Sequence, residues 1–416
     1  MKPSIKVAVI GAGSRGSGFG EIVREAGHLA AVAGVAEPKE NYRRAFAERH
    51  ELPDAQVFAT WEEMLERPKF CDAVIISTPD TGHVRPAVAF LERGYHVLLE
   101  KPMATTLADC REIEAAQRKA GTMVAICHSL RYQKGFSKVK EIADSGFIGR
   151  IVTLDQIEQV GFWHQAHSFV RGNWANEARS TFMLMAKSCH DIDYIGHLVG
   201  NPCRSVNSYG SLAYFCAESA PAGAPQRCTE GCPAEQDCPY SAIKVYVNSR
   251  REAWPAAVCS FDHSQEAHLE AIRTGPYGRC VFHCDNDVVD HQVVSMEFEN
   301  HVTATFTMTA FSQLSGRSLR VNGTKGELHF HDKKDAISLR TFADNNSVEI
   351  ALGAEPGVHG GGDVRVVASW LQAISRSDES LIATNARQSL ESHTVVFAAE
   401  KSRIEKRRVE ISEMRV

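Results

Sequence analysis

The first 130 residues alternate short apolar runs with amphipathic stretches. The runs at 6–10, 30–36, 73–77, 96–100 and 123–128 have the length of buried strands. The stretches between them place apolar residues at helical spacing, which predicts helices at 18–25, 42–49, 83–93 and 107–120. Strands that alternate with helices form parallel sheets with crossover helices. We therefore predict that residues 1–130 form a doubly wound α/β domain, with a Rossmann-type sheet.

After residue 130, predicted strands follow one another without intervening helices. Alternating apolar and polar positions predict strands at 151–160, 204–215, 293–298, 302–311, 319–321, 327–331 and 337–342. Without crossover helices, successive strands must run mostly antiparallel. Two helical stretches, 363–375 and 386–406, close the chain. We therefore expect residues 131–416 to form an α+β domain on a large open sheet, interrupted by a Cys-rich insertion at about 216–240.

Composition narrows the classes of function. The chain has 416 residues, which favours two domains, and its formal charge is −5, which supplies no field for gripping nucleic acid. No secretory signal and no membrane span are apparent in the sequence, so we expect a cytoplasmic protein. An open sheet would leave an apolar face, which predicts a homo-oligomer, either a dimer or a tetramer.

A glycine-rich loop follows the first predicted strand. Its glycines have the spacing G-x-G-x-x-G, and Glu37 follows at the end of the second strand, 21 residues after the last glycine. This arrangement is typical of dinucleotide binding, and a carboxylate at Glu37 would bind ribose hydroxyls and repel a 2′-phosphate. We therefore predict NAD rather than NADP as the cofactor. The loop residues expected to contact it are Gly11, Gly13, Ser14, Arg15 and Gly16.

Two further motifs lie at the ends of later strands of the first domain. One runs from Thr78-Pro79 to His83, and the other is Glu100-Lys101-Pro102. Together with the glycine loop, they resemble the hallmarks of the glucose-fructose oxidoreductase / inositol dehydrogenase / MocA (Gfo/Idh/MocA) family. A strand that ends in Glu-Lys-Pro places a cation at the carboxyl edge of the sheet, where ligands bind. The cofactor-site residues expected here are Thr78, Pro79, His83, Glu100 and Lys101.

The resemblance implies roles for two of these residues. In such a family member, Lys101 touches the substrate hydroxyl next to the nicotinamide, and Pro102 follows a cis peptide bond. The family pattern D-x-G-x-H-x-x-D places its catalytic histidine at His190 and its last Asp at Asp193. Ala186 replaces the first Asp, so the usual Asp/His relay cannot be assumed, and we expect Lys187 to act as the electrostatic partner instead. The predicted catalytic residues are Lys101, His190 and Lys187.

Helical spacing also places Lys187, His190, Tyr194 and His197 on one face of a predicted helix. A second candidate cluster spans residues 163–174 and combines aromatic rings, donors and cations, as carbohydrate pockets do. Arg171 is expected to form a fork to an anionic group, so an anionic sugar is favoured. The predicted substrate residues are Arg131, Tyr132, Trp163, His164, His167, Arg171, Trp174, Asp191 and His359.

Three cysteines fall within eleven residues of the insertion: Cys228, Cys232 and Cys238. Such thiols in a segment with little core are typical of a structural metal site, and we expect zinc there. The fourth ligand stays open among Cys203, Cys216, Cys280, His283 and Cys284. Free thiols are nearly as well supported by the sequence, and a disulfide or an iron–sulfur cluster is a further alternative.

These observations lead to one preferred function and two alternatives. The preferred function is NAD-dependent hydride transfer at a ring hydroxyl, at C3, of a sugar or sugar-like polyol, with His190 as general base and Lys101 stabilising the alkoxide. The first alternative is a redox-neutral, NAD-dependent glycosidase acting on an anionic glycoside such as a sulfoquinovoside. The second is a sensor that binds NAD and a sugar without catalysis.

Overall fold

The computed structural model describes residues 4–334, 336–344, 346–353 and 358–415, without the side chains of residues 358 and 359. Its helices are α1 (Ser14–Glu25), α2 (Glu40–Arg49), α3 (Trp61–Leu65), α4 (Val84–Glu92), α5 (Leu107–Ala120), α6 (Lys134–Asp144), α7 (Phe162–His164), α8 (Met183–Ala186), α9 (Cys189–Val199), α10 (Gln265–Thr274), α11 (Gly362–Arg376) and α12 (Ala386–Glu405). Its strands are β1 (Ile5–Ile10), β2 (Ala30–Ala36), β3 (Val57–Phe58), β4 (Ala73–Ile76), β5 (His96–Leu99), β6 (Val124–Ile126), β7 (Ile151–Gly161), β8 (Cys203–Ser211), β9 (His291–Phe298), β10 (Thr303–Ser312), β11 (Gly316–Gly323), β12 (Gly326–His331), β13 (Ala336–Thr341), β14 (Ser347–Ala351) and β15 (Val409–Glu410).

The first six strands form a parallel sheet in the order β3-β2-β1-β4-β5-β6. Strands are added to one side of the sheet up to β3 and to the other side from β4, so the strand order reverses between β1 and β4. Ligands bind at such a switch point, beyond the carboxyl ends of the strands. All four residues of β4 are buried, as expected for a parallel strand covered on both faces. The predicted doubly wound domain is confirmed.

The other nine strands form an open sheet in the order β14-β13-β12-β11-β7-β10-β9-β8-β15. All neighbouring pairs are antiparallel except β7 and β10, which are parallel. In β7, Leu154, Gln156, Glu158 and Val160 alternate with more exposed residues and face the core. The predicted α+β fold on a large, mostly antiparallel sheet is therefore confirmed.

Some elements differ from the prediction. The strand expected to reach residue 215 ends at Ser211, and the strands β3, β14 and β15 were not expected. The insertion is also longer than expected, because it occupies the whole segment between β8 and β9, residues 212–290. Two-residue strands such as β3 and β15 are too short for an alternating pattern to mark them. In β14, no residue is fully buried, so its sequence lacks the apolar face that identifies a strand.

The closing helices join the two sheets. Val366, Trp370 and Leu371 of α11 lie in the same core cluster as Val7 and Val9 of β1. The helix α12 contacts both α5 beside the first sheet and β8 of the second. The carboxyl ends of β1, β4 and β5 therefore face the second domain, where Lys101 reaches Ala186, and the space between the two domains here is called the crevice below. No helix in the described part of the chain is long and apolar enough to cross a membrane.

Candidate active site

The loop between β1 and α1 has the local geometry that dinucleotide binding requires. Gly11 has φ +85°, and a Cβ atom there would lie 2.7 Å from the Ser77 carbonyl oxygen. A Cβ atom on Gly16 would lie 1.8 Å from the Gly11 carbonyl oxygen, so helix and loop pack too closely for a side chain. Gly13, by contrast, has no atom within 4 Å of its Cβ position. The space beside Gly13, at the start of α1, fits an incoming pyrophosphate.

Glu37 lies beside this loop at the end of β2. Its carboxylate accepts hydrogen bonds from the backbone N–H groups of Ala12, at 2.8 Å, and Lys39, at 2.9 Å. Only 7% of the residue is exposed. Each carboxylate oxygen has a second lone pair, so Glu37 can still accept hydrogen bonds from ribose hydroxyls. The residues present therefore fit NAD.

Arg15 joins the glycine loop to two other elements. Its Nε atom lies 2.5 Å from a Glu100 carboxylate oxygen, and its terminal nitrogens lie 2.7 and 3.1 Å from the Asp363 carboxylate in α11. The guanidinium also stacks on the Phe19 ring, 4.6 Å from its centroid. With two carboxylates already paired to it, Arg15 holds the loop against β5 and α11 instead of standing free for a 2′-phosphate.

His83 lies between the two loops that follow β4 and β5 and contacts both. Its ring nitrogens lie 2.7 Å from the Pro102 carbonyl oxygen and 3.0 Å from the Thr78 carbonyl oxygen. Pro79 follows Thr78 and precedes a short 3-10 turn. Both ring nitrogens are occupied by backbone groups, so His83 positions these loops rather than contacting a cofactor directly.

Lys101 reaches from the first domain to the second. The Lys101–Pro102 peptide bond is cis, as the family resemblance implied. Glu100 accepts a hydrogen bond from the Lys101 backbone N–H at 2.7 Å, and the Lys101 ammonium donates to the Ala186 carbonyl at the end of α8 at 2.6 Å. The ammonium is therefore held at the crevice, next to the segment that leads to His190.

His190 contacts an arginine that sequence reasoning missed. Its Nε2 atom lies 2.8 Å from an Nη atom of Arg317, which comes from β11. Arg317 also pairs with Asp191, at 2.6 Å, and with Glu158 of β7. A guanidinium has no lone pair to accept with, so Arg317 donates and His190 Nε2 accepts. The pair Glu158 and Arg317 is adjacent because the two residues are direct partners in the β7–β11 register.

Lys187 lies on the other side of Glu158. Its ammonium is 3.1 Å from a Glu158 carboxylate oxygen. Burial lowers the pKa of Lys187 from its ordinary value, although Glu158 opposes the shift. Burial likewise raises the pKa of Asp191 to about 6, against the opposing effect of Arg317. Lys187 therefore belongs to a buried cluster of two carboxylates and two cations, in which Arg317 and not Lys187 contacts His190. Its role as the electrostatic partner in place of an Asp stays a prediction.

His164 and two tryptophans form an aromatic wall near Lys187 and Lys101. The His164 ring stacks on Trp163 at a centroid distance of 5.7 Å. It meets the Trp254 ring edge to face, at a centroid distance of 4.8 Å. Burial, and then the positive charges of Lys187 and other neighbours including Lys101, holds the pKa of His164 well below its ordinary value. Trp254 is 45% exposed and was not predicted, because it belongs to the insertion. The wall offers aromatic faces beside a neutral imidazole, as a sugar ring requires.

Two predicted substrate residues lie elsewhere. Arg171 is 1% exposed, and it donates to the carbonyl groups of Arg279 and Tyr240, so it does not point into the crevice as a fork for a substrate anion. His167 is also buried, with Nδ1 3.0 Å from the Tyr246 hydroxyl, and burial lowers its pKa to about 3. Residues 165–171 form a π-helical turn whose side chains face the insertion, which explains both differences.

Arg131 and Tyr132 are structural as well. Arg131 makes two hydrogen bonds to Asp193, at 2.6 and 2.7 Å, and the Tyr132 hydroxyl accepts from the Ala383 backbone N–H. Burial alone would raise the pKa of Asp193, but Arg131 outweighs it and lowers the value to about 2. These two residues connect α9 to the first domain. The prediction that they bind the substrate is therefore not supported by their contacts.

Two more of the predicted substrate residues, Trp174 and Asp191, have structural partners. The Trp174 indole donates to Asp80 at 2.8 Å and closes the domain junction, and Asp191 is buried against Arg317. The predicted ionisable helix face is also incomplete, because Lys187 precedes α9 and the Tyr194 hydroxyl donates to the Phe136 carbonyl in the core. The side chain of His359 lies outside the described residues. Of the predicted substrate residues, Trp163 and His164 remain candidates, because Lys187 and Lys101 are close enough to His164 to influence its charge.

The predicted zinc site finds no support in the geometry. Among the residues that the structure describes, no three Cys, His, Asp or Glu side chains are placed to hold one metal ion. Cys228, Cys232 and Cys238 are free thiols.

The strand order of the parallel sheet and its glycine-rich loop are typical of a dinucleotide-binding domain. Two family models identify the class of protein as a dinucleotide-dependent oxidoreductase. One model, described as an oxidoreductase family with an NAD-binding Rossmann fold, matches residues 5–128. A second, the C-terminal alpha/beta domain of that family, matches residues 140–411. The chain therefore belongs to the Gfo/Idh/MocA family of oxidoreductases.

Individual relatives agree with this assignment. The chain is similar to the oxidoreductase YteT of Bacillus subtilis (strain 168), with 25% identity over 77% of this chain and 76% of that protein. It is 28% identical to the scyllo-inositol 2-dehydrogenase (NADP(+)) IolW of the same organism, over 48% of this chain and 53% of that one. A structure of levoglucosan dehydrogenase with NADH and levoglucosan superposes with a TM-score of 0.74 at 16% identity, covering 98% and 100% of the two chains. At that identity the structural likeness shows the fold alone.

Proposed function

We propose that the protein transfers a hydride between NAD and a ring carbinol carbon, C3, of a sugar or sugar-like polyol. The observation that carries the proposal is the meeting of Lys101 and the segment leading to His190 at the carboxyl edge of the parallel sheet, joined by the bond from Lys101 to Ala186. Relatives named as inositol dehydrogenases and a neighbour solved with levoglucosan support a polyol or sugar as the substrate class.

The side chains divide the work of alcohol oxidation. NAD, when bound, accepts the hydride from the substrate carbon. The Lys101 ammonium, held by Ala186, stabilises the negative charge that develops on the substrate oxygen. His190 accepts the hydroxyl proton as general base. Trp163 and Trp254 cover the CH face of the ring and keep water away.

Arg317 sets a condition on the role of His190. Because the guanidinium donates to Nε2, this lone pair is occupied until a substrate hydroxyl takes the place of Arg317. An Nε2 atom that accepts from Arg317 carries no proton, as a general base requires. Lys187, with its lowered pKa and its contact to Glu158, is the second group here that can take up or release a proton.

A redox-neutral glycosidase is the second candidate, and His164 favours it. Oxidation at C3 would acidify the C2 proton, so the aglycone could be eliminated, water could add, and the ketone could be reduced again. That route needs a further acid/base beside the sugar. His164 is a neutral imidazole near Lys101 and Lys187, so it can accept a proton, although its lowered pKa makes it a weak base.

The contacts of the cationic residues do not favour the anionic sugar that the sequence predicted. Arg171 and His167 face the insertion, Lys187 is paired with Glu158, and His164 is neutral, so three of the four groups behind the expected anionic sugar are buried or paired. We therefore expect no marked preference for a uronate or a 6-sulfonate over a neutral sugar. A competition series of these three forms measures it.

The deciding experiment supplies NAD with matched pairs of free sugars or polyols and their aryl glycosides. We expect NADH to accumulate with the free sugar or polyol, and NMR of the product to show a ketone at C3. Release of the aryl group without NADH would establish the glycosidase instead. NAD binding by calorimetry with no turnover of any compound would favour the sensor, and a ketone at another carbon would contradict the C3 assignment.

A further inference from the structure

One segment of the insertion has a largely exposed aromatic residue at each end. It spans residues 254–261, and we call it the strap. Trp254 at its start is about half exposed, and Phe261 at its end is 59% exposed. Between them, Ala256 is fully buried in a small apolar cluster that belongs to the insertion itself. The strap is therefore attached to the insertion through its middle, while its two ends carry exposed rings.

Trp254 connects the start of the strap to the aromatic wall. Its ring meets the His164 ring at a centroid distance of 4.8 Å. Burial, and then the charges of Lys187 and other neighbours including Lys101, lowers the pKa of His164, so these ammonium groups are close by. The start of the strap therefore lies at the end of the site where we expect the substrate and the nicotinamide.

Phe261 connects the end of the strap to α2 of the first domain. Its ring meets the Tyr42 ring edge to face, at a centroid distance of 5.8 Å. The Lys39 ammonium lies 5.7 Å from the centroid of the same Tyr42 ring, and the Lys39 backbone N–H donates to the Glu37 carboxylate. The end of the strap therefore lies at the ribose end of the expected cofactor site.

The strap is long enough to cross the path that a dinucleotide takes. That path follows the carboxyl edge of the sheet from Glu37, which follows β2, to Lys101, which follows β5. The strands β2 and β5 are three strand spacings apart, which is about 14 Å. The seven residue steps of the strap, three of them in the 3-10 turn Ala256–Val258, reach up to about 20 Å.

We propose that the strap is a gate over bound NAD, and that the rings of Phe261 and Tyr42 form the clasp that keeps it closed. The strap has to move aside for NAD to enter or leave across this edge. The clasp joins two protein side chains, so it favours the closed strap to the same extent with and without NAD. Breaking the clasp should therefore speed entry and release together and leave the affinity nearly unchanged. The proposal requires NAD binding and makes no assumption about the substrate.

The test is stopped-flow fluorescence of NADH binding to the full chain and of its release. We expect Phe261→Ala to raise the association and the dissociation rate constants together by about two- to tenfold, which corresponds to the loss of one edge-to-face ring pair. Their ratio, the dissociation constant, should stay nearly unchanged. Phe261→Tyr keeps the ring and should keep both rate constants at the wild-type level.

Two further variants separate the clasp from general effects of losing a ring. Tyr42→Ala should raise both rate constants as Phe261→Ala does, and the double variant should match the single variants, because the two rings share one contact. Phe342→Ala removes a ring that is equally exposed but lies outside the insertion, just past the end of β13, and should leave both rate constants unchanged.

Three results would overturn the proposal. Unchanged rate constants in Phe261→Ala would show that the strap does not limit access. A faster release with unchanged association, and hence a higher dissociation constant, would show that Phe261 contacts the cofactor directly and is not a clasp. Additive effects in the double variant would show that the two rings act independently. Sugar turnover enters none of these measurements, so they stand apart from the proposed reaction.

Discussion

At the scale of single residues, the contact between Arg317 and His190 determines how the site can act. The family pattern supplies an Asp where this chain has Ala186, and the structure shows what replaces its influence: Arg317 on Nε2, with Glu158 and Asp191 neutralising the guanidinium. The Nε2 atom therefore accepts from Arg317, and the Asp191 carboxylate lies 3.5 Å from it. In the proposed reaction, a substrate hydroxyl has to displace Arg317 from Nε2 before His190 accepts its proton.

Removal of either central side chain should abolish most of the turnover. We expect Lys101→Ala and His190→Ala each to lower kcat by about a hundredfold or more, since one loses the charge on the alkoxide and the other loses the base. Steady-state kinetics on the true substrate measures this. Trp174→Phe, which alters the domain junction outside the crevice, is the control for indirect effects, and near-native kcat in either alanine variant would contradict the assignment.

Glu37 should select the cofactor. We expect NAD to bind at least about tenfold more tightly than NADP, because a 2′-phosphate would meet the carboxylate that Ala12 and Lys39 hold in place. Glu37→Gln should narrow this ratio, chiefly by improving NADP binding. Calorimetric titration with both cofactors measures the ratio, and equal affinities in the wild type would discard the role.

Sequence reasoning put forward Lys101 and His190 as candidates because each lies in a local motif, and their roles stay predictions. It failed for Arg171 because the partners of that side chain, Tyr240 and Arg279, are far away in sequence and belong to an irregular insertion. Arg317 was missed for the same reason. One signal was present: Glu158 occupies an inward-facing position of an alternating strand, and a buried carboxylate there requires a cation from a neighbouring strand.

At the scale of elements, the turn from β1 into α1 separates binding from stability. Gly13→Ala should leave the melting temperature nearly unchanged, because φ is −68° and no atom lies within 4 Å of the Cβ position, yet it should weaken NAD binding by filling the approach of the pyrophosphate. Gly16→Ala is the contrasting variant, since its Cβ would collide with the Gly11 carbonyl oxygen. Thermal melts and NAD titrations of both variants test the distinction. Equal melting temperatures for the two variants would contradict it.

The junction of α9 with the first domain should be sensitive to acid. Asp193 has a pKa of about 2 in the folded state because of Arg131, below the ordinary value of about 3.9. Its stabilising contribution is therefore complete above pH ~4 and is lost as the pH falls towards ~2. Asp193→Asn should lower the free energy of unfolding by about 3–5 kcal/mol at neutral pH, because Arg131 stays buried without a partner.

Denaturant titrations at neutral pH and at acidic pH measure this effect. The difference between wild type and Asp193→Asn should shrink as the pH falls below ~4, since the wild type alone loses the contribution. Asp144→Asn removes an exposed partner of Lys140 and should change stability by less than about 1 kcal/mol. A pH-independent difference for Asp193→Asn would refute the linkage.

Element prediction succeeded wherever the apolar period was long enough. The helix α5 was predicted to run from Leu107 to Ala120, and it does, because Thr106 caps its start and Gly121 ends it in the left-handed conformation. The helix α10 was not predicted, although Ser264 caps it, because it lies in the insertion where no larger pattern surrounds it. Local capping signals mark a boundary, but only an extended pattern identifies the element.

At the scale of the whole molecule, the outer face of the nine-stranded sheet is mixed rather than apolar. Thr305 donates to Asp155 on this face, and Thr303 donates to Thr153. One row across four strands is different. Tyr209, Val293, Thr307 and Ile157 are successive cross-strand partners, and Tyr209 is 66% exposed. The row spans about 14 Å at the usual strand spacing. A row of this length across four strands is suited to packing face to face against a second sheet.

This row is where we predict that copies of the chain associate. Light scattering should give a dimer or a tetramer, because a second sheet packed on Ile157 and Val293 would remove their exposed side chains from water. The double variant Ile157→Lys/Val293→Lys should shift the protein towards a monomer, since association would bury two unpaired charges on each copy. Phe342→Lys removes a more exposed aromatic residue just past the end of β13 and serves as the control. A wild-type monomer at all concentrations, or an unchanged oligomer in the double variant, would show that this row is not the interface.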